Sequence, residues 1–463
     1  LVVTQLKATT KHMYDRDDLY ASTPSFVTLV ILLLFALARD MCIYTCDVST
    51  AFLHADLPDD EETFVQPPDR YVKPGYLWRL RKALYGLRKA PKAWQLHFSG
   101  IATEHLGLSR SRYDANVYYG KDLWMLVHVD DILLLGSESE CQRAMKLLGN
   151  HLLMKLTGEL NNEGSTLTFL GRLLKRTGDA IHFVVERKYY QDMFDDAEVS
   201  TTRSVNTPGA KSKEVELLSE PLDVWTHGLY RRTVGKLQWI VPLRRDIAFA
   251  TKELARNLTE PTQRDLQDMR HLLRYLVGTV HYVLELRPEY ILNELPKTVE
   301  VTCYGDSDWA GCRTTRRSTS GICIKILGAT VMFASRTQET IALSSGEAEL
   351  YAIGSTTAEG LFVCNLLREI GLCQKTILVC YTDSTTGKSL ATRYGASKRT
   401  RHVDVRLLDM QELVQRGLLS LRKVAGPYNI ADLGTKYLSA TDIAKFLPMI
   451  GIIDEVRRYS LTD

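Results

Sequence analysis

The chain has no strong excess of either charge. Against 55 Asp and Glu stand 58 Lys and Arg, a net charge of +3, so a surface for a polyanion must come from local clustering. It has no paired CxxC spacing. The nine cysteines (Cys42, Cys46, Cys141, Cys303, Cys312, Cys323, Cys364, Cys373 and Cys380) are odd in number and scattered, which argues against a disulfide framework or a zinc site and for a reduced compartment. It has no apolar run of membrane-spanning length: Phe26 to Ala38 is apolar apart from Thr28, but thirteen residues read as a buried helix, opened by Thr23-Pro24. No internal repeat, low-complexity tract or targeting signal is visible, and with Leu as first residue the chain reads as a piece of a longer product.

What is present is the composition of a globular protein with a substantial core, 45% hydrophobic and 24% charged, at a length of 463 residues that suggests two to four domains. In Trp124 to Gly136 an apolar run enters Asp130-Asp131 and a second, Ile132 to Leu135, leaves it. This pattern predicts a β-hairpin with acid at its tip, although Asp is also an ordinary turn residue. Met41 to Asp47 reads as a short strand ending in Asp47. Asp59 to Glu62, between Pro58 and Pro67-Pro68, reads as a solvated acidic loop. Leu77 to Lys82 and Arg88 to Lys92 place cations near Tyr85, Gly86 and Trp94, a mixture suited to a phosphate backbone with stacked bases but also to an ordinary basic surface.

Template-directed strand synthesis needs carboxylates from separate elements converging on two divalent metals roughly 3.5–4 Å apart. Mg²⁺ prefers oxygen ligands, which fits a few Asp without His or Cys. Asp47 at a strand end and Asp130-Asp131 at a hairpin tip are candidates for such a patch. The segments Asp47 to Leu57, Leu84 to Trp94 and Val129-Asp130-Asp131 resemble, in order and spacing, the reverse transcriptase of copia-type LTR retrotransposons. The resemblance implies metal ligation by Asp47, Asp130 and Asp131. It also implies that Phe52 packs under the incoming sugar as a gate against ribonucleotides, and that Tyr85, Gly86, Arg88 and His128 lie along nucleotide and template. His128 stands where the family usually has Tyr, and the finger region is expected to be truncated at Leu1.

Farther on, Leu167 to Gly171 resembles the family's turn near the primer strand, and Asn206 to Gly209 starts a polar connection. Tyr230 to Leu237, Asp246 to Leu254 and Leu266 to Val277 read as helices, the last with Leu266, Met269, Leu272, Leu273 and Leu276 on one face. Pro288 and Pro296 bracket a linker. Val299, Val301 and Cys303 then alternate with polar residues in a strand that runs into Asp306. Ser344 and Glu347 have capping-box spacing at a helix start, Thr376 to Asp383 reads as a buried strand ending in acid, and Asp432 lies near a late helix.

Strand-end acids, a helical Glu and a late Asp make the four-carboxylate set that two-metal cleavage of an RNA phosphodiester calls for. This segment resembles the RNase H domain of the same elements, which implies Asp306, Glu347, Asp383 and Asp432 as catalytic metal ligands. Asp308 and Glu349 rank below them, because Asp306 lies nearer the strand and Glu347 falls in the first helical turn. Gly346 stands where the family usually has Thr. His402, within Lys398 to Asp404, matches a family motif whose cations would touch substrate or form a plain basic loop.

The expected architecture is therefore a multidomain α+β and α/β chain. Fingers and palm would span 1–195, a mainly helical thumb or connection 196–290, an RNase H-like domain 298–440 and a tail 441–463. The resemblance implies an RNA-directed DNA polymerase with RNase H activity, using two Mg²⁺ per site, with Mn²⁺ able to substitute. Its partners would be RNA template, DNA primer, RNA–DNA hybrid, dNTPs and other Gag and Pol products, with no membrane involved. The expected location is cytoplasmic, in a virus-like particle, or nuclear. The alternatives are a decayed or repurposed remnant that binds nucleic acid without chemistry, and a group II intron-type reverse transcriptase, which would lack the second acid set.

Overall fold

The structure, a computed structural model, describes residues 19–57, 62–210, 220–393 and 405–456, with the side chains of 405–408 excepted. The acidic loop, apart from Glu62, and His402 lie outside the described residues. The chain divides into two compact units, one built on residues up to Ala36, Asp40–Gly171 and Glu369–Gly371, the other on Leu37–Arg39, Arg172–Arg368 and Leu372 onward.

In the first unit, helix α1 (Phe26–Ala38) covers the apolar run read from the sequence, and every residue from Leu29 to Ala38 is buried. Strands β1 (Cys42–Val48), β2 (Thr63–Val65) and β3 (Trp78–Leu80) follow. Helix α2 (Ala90–Glu104) precedes β4 (Ser109–Arg110), β5 (Val117–Tyr119), β6 (Leu123–His128) and β7 (Asp131–Gly136). Helix α3 (Glu138–Gly149), β8 (Met154–Glu159) and β9 (Thr166–Phe169) complete the unit. Six strands form an antiparallel sheet in the order β4-β5-β6-β7-β1-β8, while β2 and β3 make a separate hairpin. Trp94, Phe98 and Ile101 recur along one face of α2 and join Met125, Val127 and Leu134 of the sheet in one core cluster. Because β6 and β7 are central strands, their apolar residues are buried in unbroken runs and do not alternate.

The second unit begins with β10 (Arg172–Thr177), β11 (Ala180–Val184) and helix α4 (Arg187–Asp196). Helices α5 (Val224–Ile240), α6 (Ala248–Ala255) and α7 (Gln263–Gly278) follow, then β12 (Tyr282–Leu286). A capping box of Thr262 and Asp265 starts α7, and Leu266, Met269, Leu272, Leu273 and Leu276 are buried on it, the face read from the sequence. At the head of α6 the guanidinium of Arg244 is fully buried against Asp246 at 2.7 Å, and Tyr275 Oη donates to the same carboxylate at 2.8 Å.

The second sheet of this unit comprises β13 (Thr298–Ser307), β14 (Thr319–Ile326), β15 (Ala329–Thr337), β16 (Lys375–Thr382) and β17 (Ser420–Lys423) in the order β15-β14-β13-β16-β17. β13 is antiparallel to β14 and parallel to β16, which is parallel to β17. The 25-residue helix α8 (Ser345–Glu369) joins β15 to β16 and lies on this sheet, where a Cβ at Gly360 would come within 2.7 Å of Cys303 Sγ. Helices α9 (Thr385–Thr392) and α10 (Val405–Gln415) precede β17, and α11 (Ala440–Phe446) leads to β18 (Ile452–Asp454).

The compact units do not follow two of the expected boundaries. They divide at Gly171/Arg172 and not at 195/196, and the helical segment shares a unit with the sheet that begins at Thr298. The cause is strand pairing: β11 pairs with β12, and β12 pairs with β18, so residues 172–184, 282–286 and 452–454 are hydrogen-bonded into one sheet. The segment expected to be a tail therefore supplies a helix and an edge strand. Among the described residues no helix is long and apolar enough to cross a membrane.

Candidate active sites

The hairpin with acid at its tip is present. His128 and Asp131 are register partners closing the β6–β7 turn, and Val129-Asp130 forms its tip. Val129 has φ 54°, a left-handed conformation that is costly for a β-branched residue. Trp94 Nε1 donates to its carbonyl at 2.6 Å, and Val48 N donates to the Asp130 carbonyl at 2.8 Å, so the turn is held from two sides. Asp47 and Asp131 are partners across β1 and β7. The Asp131 carboxyl is raised above its ordinary range by burial, then by the charges of Asp130 and Asp47, with His128 opposing. All three acids are thus brought to one end of the sheet.

Of the other residues expected here, Phe52 is buried with its ring centroid 4.5 Å from that of Tyr85. The Tyr85 phenol is raised by burial, then by the charges of Asp130 and Asp47, which puts it beside the acids. Gly86 has φ 98°, the left-handed conformation that glycine adopts without strain. Arg88 is half-buried just before α2.

The second set of acids converges more tightly. Asp306 is near the end of the central strand β13, Asp383 directly follows the neighbouring parallel strand β16, and Glu349 lies in the first turns of α8. One ligand atom from each lies within 4.8 Å of the others, and among the described residues this is the one group of three or more His, Cys, Asp or Glu that meets this spacing. Asp432 comes from a 3₁₀ turn, Ile430–Gly434, whose backbone presses on Gly321 of β14: a Cβ there would lie 2.2 Å from the Ala431 carbonyl oxygen. Asn429 Nδ2 donates to the Gly305 carbonyl at 3.1 Å, and Thr435 Oγ1 donates to Asp306, which tie both ends of the turn to β13.

The electrostatics are those of crowded anions. Glu349 is pushed up to about 9 by burial, then by the charges of Asp306 and Asp383, against a hydrogen bond from the Ser307 backbone N–H. Asp383 is raised by burial and then by Asp306. Asp432 is raised to about 7 by burial and Asp306, although Lys436 lies 2.9 Å from its Oδ2.

Glu347, expected beside Asp306 and Asp383, lies elsewhere. It is not in the cluster with Asp306 and Asp383; Glu349 is. Glu347 Oε2 accepts from Leu343 N at 3.0 Å, its Oε1 accepts from Tyr351 Oη at 3.0 Å, and its own N–H donates to Ser344 Oγ at 3.2 Å. This is the end-capping work that the Ser344–Glu347 spacing already indicated, and it turns the side chain back over the helix start. Two residues on, about 200° around the helix, Glu349 faces the strand ends. The other lower-ranked acid, Asp308, is engaged with the Thr319 backbone N–H. Gly346 packs on Thr386, whose Cγ2 would lie 2.5 Å from a Cβ, so this departure from the family is matched by its neighbour. Lys436 had no sequence signal beyond its i+4 spacing from Asp432.

The donor chemistry here suits a hard divalent cation. The cluster is all oxygen, and two buried carboxylate oxygens, Glu349 Oε2 and Asp432 Oδ1, have no hydrogen-bond partner among the described residues.

Residues 1–211 match the family described as "Reverse transcriptase (RNA-dependent DNA polymerase)". The chain is 30% identical over 451 residues to the "Retrovirus-related Pol polyprotein from transposon RE1" of Arabidopsis thaliana, an alignment covering 95% of this chain and 29% of that protein. It is 29% identical over 452 residues to the corresponding polyprotein from transposon RE2 of the same plant, covering 95% and 30%. A solved structure, "Structure of the foamy viral protease-reverse transcriptase dRH in complex with ds DNA", is similar over 87% of this chain and 60% of that one, at 12% identity and a TM-score of 0.47. Residues 1–211 thus match the reverse transcriptase family, and the chain along nearly its whole length is similar to the Pol polyproteins of copia-type transposons. It spans about three-tenths of the length of the two plant relatives.

Proposed function

We propose that this chain is an RNA-directed DNA polymerase that also hydrolyses the RNA strand of RNA–DNA hybrids. The observation that carries the reading is the presence of two acid sets, one in each compact unit: Asp47, Asp130 and Asp131 at one end of the first sheet, and Asp306, Glu349 and Asp383 within 4.8 Å at the strand ends of the other. Divalent cations, Mg²⁺ by donor type, would supply positive charge for the leaving oxygen and lower the pKa of the attacking hydroxyl or water.

In the first unit, Asp47 and Asp131 would hold the cations. The turn at Val129-Asp130 keeps Asp130 next to them, and the Phe52–Tyr85 ring pair forms a floor for the sugar of an incoming dNTP. In the second, Asp306, Glu349, Asp383 and Asp432 would hold them, with Lys436 favouring the ionised form of Asp432 and offsetting its charge. The order β15-β14-β13-β16-β17, antiparallel in its first part and parallel in its second, supports an RNase H-like reading of that sheet. RNA template and DNA primer are the corresponding partners, recognised through groove shape and 2′-hydroxyls and not base sequence.

The test is a pair of assays on the purified chain: extension of a DNA primer on an RNA template with dNTPs and Mg²⁺, and cleavage of a labelled RNA–DNA hybrid. Asp130→Asn should abolish the first and spare the second, and Asp383→Asn the reverse. Absence of both activities from the unsubstituted chain would favour a remnant that only binds nucleic acid.

A further inference from the structure

Next to the second acid set three large apolar side chains stand in solvent: Trp309 is 55% exposed, Ile341 49% and Leu343 68%. Single exposed apolar residues are ordinary, but these are joined. Trp309 Nε1 donates to the Ala342 carbonyl at 3.1 Å, so the indole is fixed to the segment between Ile341 and Leu343. The other side of that segment is held by Glu347, which accepts the Leu343 N–H at 3.0 Å.

The loop that carries Trp309, residues 308–318, is equally constrained. Asp308 accepts the Thr319 N–H, Ala310 N donates to Ser318 Oγ at 3.0 Å, and Arg316 N donates to the Cys312 carbonyl at 2.8 Å. Ala310 and Arg316 sit at φ 51° and 57°, left-handed positions that this hydrogen bonding sustains. The loop also carries Arg313, Arg316 and Arg317, all exposed. It leaves β13 two residues after Asp306, and the segment that receives the indole leads into the helix bearing Glu349.

We propose that Trp309, Ile341 and Leu343 form a preformed ledge for the sugar–phosphate edge of an RNA–DNA hybrid beside the cleavage site, and that Glu347 is the positioning residue that holds it. The proposal rests on the hydrolytic reading of the neighbouring acids. Charge complementarity selects the occupant. Three cations on the loop that bears the indole fit phosphates flanking sugar faces, which the wide, shallow minor groove of an A-like duplex displays, and a ledge already ordered loses little entropy on binding.

The experiment uses the full chain. Trp309→Ala should raise KM for hybrid cleavage about tenfold while changing kcat less than about twofold, and Trp309→Phe should restore most of the loss. Glu347→Gln should raise KM in the same sense. Independently of turnover, hybrids carrying 4-thiouridine near the cut, photo-crosslinked in Ca²⁺ and mapped by mass spectrometry, should label the peptide containing Trp309. An unchanged KM in Trp309→Ala, a loss confined to kcat, or crosslinks that map away from residues 309–317 and 341–343 would each overturn the ledge. If the unsubstituted chain fails to cut hybrid, the hydrolytic reading falls, and the crosslink map still decides whether the ledge binds.

Discussion

Asp47 and Asp131 lie directly opposite each other across the antiparallel pair of β1 and β7. Two like charges in that relation destabilise a sheet unless a cation or a proton sits between them. The raised Asp131 pKa reflects burial first and then this repulsion, from Asp130 and Asp47. Asp131→Asn should therefore raise the melting temperature of the metal-free protein slightly, while reducing primer extension by at least about a hundredfold. Hybrid cleavage should be unaffected, because the acids proposed for it are carried by other elements. A variant that loses both activities together would show that the two sites do not act separately.

Gly321 tests the second site through the backbone alone. A Cβ there would meet the Ala431 carbonyl oxygen at 2.2 Å, and a backbone atom cannot swing aside as the end of a side chain can. Gly321→Ala should push the turn bearing Asp432 off β14, destabilise the protein by about 1–3 kcal/mol, and reduce hybrid cleavage more than extension. Equal losses in the two assays would count against a local effect.

The buried pair of Arg244 and Asp246 has no place in either acid cluster and should matter for stability only. Both side chains are fully buried, and Arg244 also donates to the Thr279 carbonyl at 3.0 Å and to Tyr190 Oη at 3.1 Å. Asp246→Asn leaves the guanidinium without its counter-charge and should cost about 3–5 kcal/mol in a denaturant titration. Replacing both residues by apolar ones of similar volume should cost much less, which separates the value of the pair from the penalty of leaving one charge alone.

These features differed in how far they could be read beforehand. Helix Phe26–Ala38 and the hairpin at Asp130-Asp131 were legible because each is encoded locally: one unbroken apolar run, or two apolar runs around a turn. The buried face of Gln263–Gly278 was legible from its helical period. The sheet joining residues 172–184 to 282–286 and 452–454 was not, because nothing in a strand's own residues names its partner. Glu349 was passed over for Glu347 because helix periodicity does not say which face meets the strand ends. Yet Ser344 three residues before Glu347 already assigned that side chain to capping, and giving the cap full weight would have left Glu349 as the candidate.

The acid cluster also makes a pH prediction with a definite sign. Glu349 is pushed up to about 9 and Asp432 to about 7, both chiefly by burial. A carboxyl whose folded pKa lies above its unfolded value of about 4 favours the folded state at low pH, and that contribution is lost as pH rises through the folded pKa. Metal-free protein should thus lose stability from weakly acid pH toward about pH 9, and Glu349→Gln should flatten the profile. Divalent cations compete with the same protons, so Mg²⁺ affinity measured by calorimetry should strengthen between pH 6 and pH 9. Affinity that weakens over that range would contradict the assignment of Glu349 as a ligand.

Lys436 gives the sharpest test of whether a cation belongs among these acids. Its ammonium lies 2.9 Å from Asp432 Oδ2, and the side chain is 44% exposed. Burial lowers its pKa, but the hydrogen bond to Asp432 and the charges of Asp306, Asp432 and Asp383 outweigh this and raise it. In metal-free protein it therefore balances part of the charge on four carboxylates, and it competes with a divalent ion for Asp432. Lys436→Met should lower the melting temperature without metal and tighten Mg²⁺ binding roughly two- to fivefold, a small factor because solvent screens a half-exposed side chain. Adding Mg²⁺ should then raise the melting temperature of the variant more than that of the unsubstituted chain. If Lys436→Met instead weakened Mg²⁺ binding, the ammonium would be positioning Asp432 for the ion and not competing with it.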